Sequence, residues 1–255
     1  MGNVLGKAIA VDFLIQWGMF LLAAYMKTEK FFDATGSATF VILMLQSLLH
    51  ARRFFPRQVI QSGMVATWAT RLGLFLLTRV LRDGRDSRFN RVRNNPRTFF
   101  LYWTVQGVWV WLTALPTLIL NSKTEDREIG TRDYIGWTMW LVGMLIEAVA
   151  DYQKYTFRSN PANRDKWIDC GLWSIVRHPN YLGEILLWTG LFISASSTFR
   201  AADYLSSLSP IFVALLLTKI SGIPILERQN LKRWRSDQGF MDYMQRTSRL
   251  LPYVY

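Results

Sequence analysis

Long apolar blocks recur along this chain, and they constrain its fold more than any other feature. About 17–25 predominantly apolar residues are enough for a helix to cross the hydrocarbon core of a bilayer. Such blocks occupy residues 8–26, 36–50, 60–81, 99–120, 134–153, 181–197 and 207–226. They are apolar on all sides, whereas barrel strands alternate polar and apolar residues. The sequence therefore predicts an all-α integral membrane bundle of about seven transmembrane helices.

Composition and organisation support one membrane domain. Hydrophobic residues make up 51% of the chain and include 11 Trp, which is high for a water-soluble protein. The first block contains Asp12 and no small-residue cleavage pattern follows it, so we interpret it as a retained helix. No internal repeat, low-complexity linker or large hydrophilic block is found. We therefore expect a single multi-pass membrane domain over residues 1–255.

The basic residues indicate an orientation in the membrane. The formal net charge is +12, and the Lys and Arg residues lie mainly in the loops between the apolar blocks. If the N-terminus is outside, the inside segments hold 19 of them and the outside segments hold 8. By the positive-inside rule, this predicts a cytosolic C-terminus, in the endoplasmic reticulum membrane if the source is eukaryotic. The expected partner of the charge is the lipid bilayer, not nucleic acid.

Several kinds of soluble-enzyme site are absent from the sequence. No GxGxxG follows a strand and no GxxxxGK[ST] occurs, so neither a Rossmann unit nor a P-loop is expected. The two histidines, His50 and His178, have no metal-ligand spacing, and Cys170 is the single cysteine. We therefore predict no metal site.

Polar side chains inside the apolar blocks are the first candidates for function, because they are costly in hydrocarbon and normally face the interior of a bundle. On the helix that contains the fifth block and continues past it, four polar residues share one face, at i, i+4, i+8 and i+11. The candidates are Glu147, Asp151, Tyr155 and Arg158 on this fifth helix, Arg71 and Arg79 on the third, and Gln46 and His50 on the second. The alternative is a structural network in which Arg71 or Arg79 pairs with Glu147.

The stretch GLWSIVRHPNYLGEILLWTG, residues 171–190, adds a carboxylate at the start of the sixth block. Pro179 predicts a turn, and Asn180 suits the N-cap of the helix that follows. Glu184 then lies one turn into the helix on the same face as Asn180. Free N–H groups at a helix N-terminus favour a nearby carboxylate or a bound anion. We expect Glu184 to accept hydrogen bonds from a ligand amide, and the alternative is a cap-stabilising acid.

Five separated motifs carry a resemblance to a known family. They are TWATRLGLFLLTRVLRDGRDSRF, VQGVWVWLTALP, ADYQKYTFR, HPNYLGE and MDYMQRTSRLLPYVY, and they occur in this order. Together they resemble the steroid 5-alpha-reductase C-terminal family, most closely its poorly characterised branch of multi-pass membrane proteins. The resemblance covers about residues 60–255.

The resemblance implies a seven-helix reductase that binds NADPH on the cytosolic side and reduces a C=C bond of a lipid-like enone, such as a steroid or sterol. The residues at the cofactor-contacting positions are Asp151, Arg158, Asn180, Glu184 and Tyr243, and the candidates for its phosphates are Arg228, Arg233 and Arg235. The chemistry fits, because arginines bind phosphate in a bidentate way and a Glu with an Asn can hold a nicotinamide carboxamide.

The substrate side departs from the family pattern. The steroid reductases have a Gln-Glu pair on helix two and a Tyr on helix three, whereas this chain has Gln46-Ser47 and no tyrosine near Trp68. The candidates for a catalytic role near the substrate carbonyl are then Gln46, His50, Arg71 and Gln106. The departure disfavours a 3-oxo steroid as the substrate.

Two alternatives come from other classes. RHPNY also resembles the RHPxY turn of isoprenylcysteine and phospholipid methyltransferases, which bind S-adenosylmethionine. Those enzymes usually have an adjacent Glu-Glu before the C-terminal basic helix, whereas Glu227 is followed here by Arg228. Glu184 directly after Gly183 also favours a reductase. A non-enzymatic lipid-binding membrane protein would need only the topology and the basic loops. The oligomeric state is left open.

Overall fold

The computed structural model describes residues 2–84, 86–90 and 92–252, and most of these residues lie in helices joined by short turns and loops. The helices are α1 Gly2–Tyr25, α2 Phe32–Ala51, α3 Pro56–Asp83, α4 Pro96–Asn121, α5 Thr131–Ser159, α6 Pro179–Ala195, α7 Leu208–Leu215, α8 Ile223–Trp234 and α9 Gln238–Arg246. No strand occurs among the described residues, where a single isolated parallel bridge joins Val176 to Ser248. The predicted all-α class is confirmed.

Five helical segments of the described chain are long and apolar enough to cross a membrane. They are Val4–Tyr25, Phe32–Ala51, Pro56–Arg82, Pro96–Asn121 and Ala201–Trp234. The other two predicted blocks correspond to α5, which carries several charged residues, and to α6, which has 17 residues. The chain is thus an integral membrane helix bundle, and the count of seven crossings and the orientation of the termini stay predictions.

The chain divides into two compact units. Unit 1 comprises Met1–Thr131 with Ala195–Ser209, and unit 2 comprises Arg132–Ser194 with Pro210–Tyr255. In unit 1, α2 packs against α3 and α1 packs against α4. The expectation of one membrane domain stays a prediction, because the packing within each unit does not test it.

Buried polar side chains in unit 1 bond to one another. The Gln16 amide donates to Asp12 Oδ1 (3.3 Å) and to Thr39 Oγ1 (3.2 Å), and all three residues are fully buried. Gln106 on α4 donates in turn to Gln16 Oε1 (2.9 Å). Inside a membrane bundle such bonds join helices, because an unpaired polar group is costly in hydrocarbon.

Ion pairs fasten the loops at one end of unit 1. Arg79 pairs with Asp33 (3.3 Å) and with Asp86 (3.2 Å), and Arg88 pairs with the same two carboxylates at 2.7 and 2.6 Å. Arg79 therefore has carboxylate partners within unit 1, and the alternative that pairs Arg71 or Arg79 with Glu147 stays untested. Arg79 lies in the last turns of α3, so its long side chain reaches Asp33 in the first turn of α2 and Asp86 in the loop beyond α3.

In unit 2, α5 and α6 approach each other closely through glycines. A Cβ atom added to Gly143 would lie 2.6 Å from the Gly183 carbonyl oxygen, and one added to Gly136 would lie 2.5 Å from that of Gly190. Small residues allow such close packing of membrane helices. The contact also brings Glu147 against α6, since a Cβ on Gly183 would lie 2.7 Å from the Glu147 nitrogen.

The glycine contact predicts a contrast between two substitutions. Gly143→Ala forces the two backbones apart, so we expect a loss of about 1–3 kcal/mol in the free energy of unfolding. Gly63→Ala on α3 meets no atom within 4 Å and should be neutral or stabilising by up to ~1 kcal/mol. Unfolding in detergent micelles measures both. Equal stability of the two variants would contradict the close packing of α5 and α6.

Candidate functional site

A cavity of about 270 Å³ lies within unit 2. The C-terminal end of α5, the segment between α5 and α6, α8 and α9 form its walls. Aromatic side chains and several cations line it, with Glu227 as the one carboxylate among the lining residues. Its composition indicates a site for an anionic ligand that contains flat rings.

The start of α6 differs from the expectation. The helix begins at Pro179, so Asn180 is the second helical residue and the predicted N-cap role of Asn180 is wrong. Proline suits the first helical position because its φ angle is already helical and its missing N–H would be unsatisfied there anyway. The Asn180 side chain instead donates to Asp151 Oδ1 on α5 (3.3 Å). Both side chains therefore tie α5 to α6 beside the glycine contact.

A network around Glu227 joins the turn before α6 to α8 and to the C-terminal segment. Arg177 Nε and Nη2 donate to Glu227 Oε1 at 3.1 and 2.9 Å, and Arg249 lies 3.2 Å from Glu227 Oε2. Arg177 also donates to the carbonyl oxygens of Met244 (2.7 Å) and Thr247 (2.5 Å). This network fixes one side of the cavity, and Arg177, the first residue of the RHPNY motif, was not among the candidate site residues of the sequence.

His178 is a second residue that the sequence reasoning missed. It is buried in the cavity wall and its ring stacks on Tyr181 with a centroid distance of 5.7 Å. Burial lowers the pKa of His178, although Glu227, with Oε1 at 3.5 Å from Nε2, acts in the opposite direction. The stacked His178 ring therefore forms a flat part of the cavity wall.

The aromatic part of the cavity is a compact cluster around Trp234 and Phe240. Trp167 packs edge-on against both rings, at 6.2 and 5.4 Å. The Tyr243 hydroxyl donates to the Trp173 carbonyl oxygen (2.8 Å), and burial raises the pKa of Tyr243. Because that hydroxyl already has a partner, Tyr243 offers the cavity its ring and not a free donor.

Two arginines stand over the face of Trp234. The Arg233 guanidinium lies 4.8 Å from the ring centroid and donates to Asp165 (2.7 Å). The Arg158 guanidinium lies 5.9 Å from the same ring and makes no hydrogen bond or ion pair with any other described residue. The pKa of Arg158 is lowered, mainly by partial burial and to a smaller extent by repulsion from Arg233. An anion bound here would relieve that repulsion.

The predicted cofactor residues fall into three groups by their position relative to the cavity. Arg158, Arg233 and Tyr243 line it. Asp151 and Asn180 lie at the contact of α5 with α6, and Glu184, one turn further along α6, is half-buried. Arg228 and Arg235 are exposed on α8 and do not line the cavity, because the helical phase turns them away from Arg233. Lys154, over the Trp173 ring at 5.0 Å, is a further lining cation that the sequence reasoning missed.

The four predicted catalytic residues belong to unit 1. Gln46 on α2 and Arg71 on α3 are half-buried, and His50 Nδ1 lies 3.4 Å from Lys7 Nζ. The Gln106 amide donates to Gln16 Oε1 (2.9 Å) and to the Phe32 carbonyl oxygen (3.0 Å). Both amide hydrogens of Gln106 are thus already used within unit 1.

The family is decided by a comparison with family models. A model described as "Protein of unknown function (DUF1295)" matches residues 19–247. The chain belongs to this family. The family belongs to the steroid 5-alpha-reductase superfamily, so the resemblance is confirmed. The match begins well before the residue at about 60 where the resemblance was expected to begin.

Curated relatives are distant. A Delta(14)-sterol reductase from Arabidopsis thaliana is 24% identical over 95% of this chain and 59% of the relative. A Delta(14)-sterol reductase from Mus musculus is 28% identical over 45% and 29% of the two chains. A protein named "Probable O-methyltransferase ustE" from Ustilaginoidea virens is 35% identical over 24% and 21%. The chain thus spans between 21% and 59% of the length of these relatives. No solved structure matches the chain.

The Glu227 network predicts a structural role that can be measured without any ligand. Glu227→Gln leaves Arg177 and Arg249 without their carboxylate, and the Arg177 and Glu227 side chains are only 11% and 12% exposed. We expect a loss of about 3 kcal/mol in the free energy of unfolding. Arg200→Gln removes an exposed pair with Glu125 and should cost less than about 1 kcal/mol. Equal losses in detergent unfolding would refute the network's role.

Proposed function

We propose that the cavity in unit 2 binds NADPH and that the protein is a membrane oxidoreductase that reduces a C=C bond of a lipid-like enone. The observation that carries the proposal is Arg158, which makes no hydrogen bond or ion pair with another described residue and lines a cavity with aromatic walls. Charged side chains whose pKa is shifted by burial and by a neighbouring charge are often found at functional sites. A dinucleotide supplies both the phosphates and the flat rings that this cavity suits.

Each group has a part in binding the cofactor. Arg158 and Arg233 bind phosphate oxygens, for which the planar guanidinium is well matched. Trp234 offers these arginines a flat support, and the nearby rings are available for stacking. Asp151, Asn180 and Glu184 hold the carboxamide and orient the nicotinamide. NADPH supplies the hydride, and the residues named here bind and orient it.

The substrate is proposed to come from the membrane. The apolar helices give a lipid-like molecule direct access from the bilayer, and sterol reductases are among the named relatives. Arg71 and His50 remain the candidates that donate a hydrogen bond to the substrate carbonyl, and Gln46 is a candidate to position it. Gln106 is no longer preferred, because its amide hydrogens are occupied.

A methyltransferase that uses S-adenosylmethionine is the second candidate. The similarity to a protein named as an O-methyltransferase, over 60 residues, and the RHPNY motif favour it. Against it, Glu227 has no acidic neighbour and is already bonded to Arg177 and Arg249. A non-enzymatic lipid-binding protein ranks third, because it would not require a cation such as Arg158 in a cavity.

Nucleotide-dependent melting tests the choice of cofactor. NADPH at 100 times its dissociation constant should stabilise the purified protein by about 2.7 kcal/mol. NADH at the same concentration should stabilise it less, because NADH lacks the 2′-phosphate of NADPH, one of the phosphate groups that the cavity arginines would bind. A larger shift with S-adenosylmethionine would move the protein to the methyltransferase class.

Substitutions at the site separate ligand groups from structural groups. Arg158→Gln and Glu184→Gln should each weaken NADPH binding by about 1.5–3 kcal/mol, the value of a hydrogen bond to a charged group. Arg158→Gln should leave the melting temperature of the ligand-free protein nearly unchanged, because the Arg158 guanidinium makes no hydrogen bond or ion pair with another described residue. Arg228→Gln, on the exposed face of α8, is the matched control and should bind NADPH normally. Large destabilisation with unaltered NADPH affinity would make Glu184 a structural residue.

The orientation in the membrane is also a proposal, with the N-terminus outside and the C-terminus in the cytosol. Cys170, the sole cysteine, is exposed in the segment between α5 and α6. An impermeant thiol reagent should label it only from the cytosolic side of sealed vesicles. In a Cys170→Ser background, Arg127→Cys should react only from the opposite side. The reverse pattern would invert the topology.

A further inference from the structure

Three basic residues form a stripe along α8. Arg228, Lys232 and Arg235 follow one another at i, i+4 and i+7, so they share one face of the helix. All three are exposed, and none of their side chains makes a hydrogen bond or ion pair with any other residue in the described ranges. We call these three residues the basic stripe. Cations this close repel one another when no anion is present.

The basic stripe points away from the cavity. Glu227 and Trp234 line the cavity from the same helix, and Ile223 one turn before Glu227 is buried. These residues lie on the opposite side of α8 from Arg228, Lys232 and Arg235 by helical phase. The stripe is therefore not placed to contact a ligand inside the cavity, and the inference below does not rest on the cofactor proposal.

The position of α8 along the chain brings the basic stripe to a membrane surface. The last candidate span, Ala201–Trp234, has 34 residues, whereas about 20 suffice to cross the hydrocarbon core. Residues 204–226 contain Lys219 as their one charged residue, and the charged part of α8 follows immediately. Ile225, one turn before Arg228 on the same side, is 44% exposed. An apolar side chain followed by basic ones is typical of a helix at the headgroup level.

We propose that the basic stripe binds the headgroups of anionic phospholipids in the membrane that surrounds the protein. Three cations without an ion-pair partner that follow the apolar residues 204–226 are complementary to a negatively charged leaflet, and each contributes about a fivefold preference near such a surface. The bound lipids hold the outer face of α8 while its inner face forms the cavity wall.

A quenching experiment at the end of α8 tests this inference. In a Cys170→Ser background, Ser236→Cys, next to Arg235 and exposed, carries a fluorophore. The protein is placed in phosphatidylcholine nanodiscs that contain a few per cent of nitroxide-labelled phosphatidylserine or nitroxide-labelled phosphatidylcholine. We expect several-fold stronger quenching by the serine lipid, and a marked decrease at high salt because exposed charges are screened.

The variant Arg228→Gln, Lys232→Gln, Arg235→Gln should quench equally with both lipids. Glutamine keeps the helix propensity, so the variant should melt with the parent. If the triple variant does not fold, the single variant Lys232→Gln replaces it. Its preference for the serine lipid should be about fivefold smaller than that of the parent protein. The matched control, Arg52→Gln, Arg53→Gln, Arg127→Gln, removes three exposed cations from unit 1 and should keep the preference.

Two results would overturn the inference. One is equal quenching by both lipids in the parent protein. The other is a preference that persists when the basic stripe is neutralised. If the stripe variant keeps its lipid preference and also loses NADPH affinity tenfold, the basic stripe binds a nucleotide and not a lipid. Normal NADPH affinity with the lipid preference lost supports the lipid site, whatever the outcome of the cofactor tests.

Discussion

The ion pair between Arg177 and Glu227 is the contact on which the cavity depends. It joins the turn before α6 to α8, and the same guanidinium bonds to carbonyl oxygens at the end of α9. Charge-assisted bonds of this kind are stronger and more directional than neutral ones. Three segments far apart in the sequence are thereby fixed relative to one another within unit 2, and the aromatic and cationic side chains that they carry form one wall.

The helices could be predicted from the sequence, because apolar blocks report directly on what a bilayer accepts. The details that were predicted wrongly or missed depend on local side-chain contacts, which the hydropathy of the sequence does not record. Pro179 starts α6 instead of preceding it, which moves Asn180 from the cap into the helix. Arg79 reaches Asp33 and Asp86, and such a pairing depends on which loops meet in space. Spacing along one helix predicts a shared face, but it does not predict the partner of that face.

The three arginines of α8 show how a site prediction loses precision. The resemblance placed Arg228, Arg233 and Arg235 near the cofactor phosphates, and only Arg233 lines the cavity. The π-helical turn Leu216–Ile220 lies between α7 and α8, and a wider turn changes the helical phase of everything after it. The resemblance matched the three arginines by their position in the chain and not by the face of α8 on which each lies. The inside and outside of this helix could be separated only in three dimensions.

The arginines of the chain also differ in what neutralises them. Arg57 is fully buried and bonds to Asp126 and to the carbonyl oxygens of Arg127 and Glu128, which is how a structural cation is accommodated. Arg158 has no such partner among the described residues, and its side chain is exposed at the rim of the cavity. Under the function proposed above, this arrangement suits a site that binds an anion and releases it, because a permanent carboxylate partner would compete with the ligand.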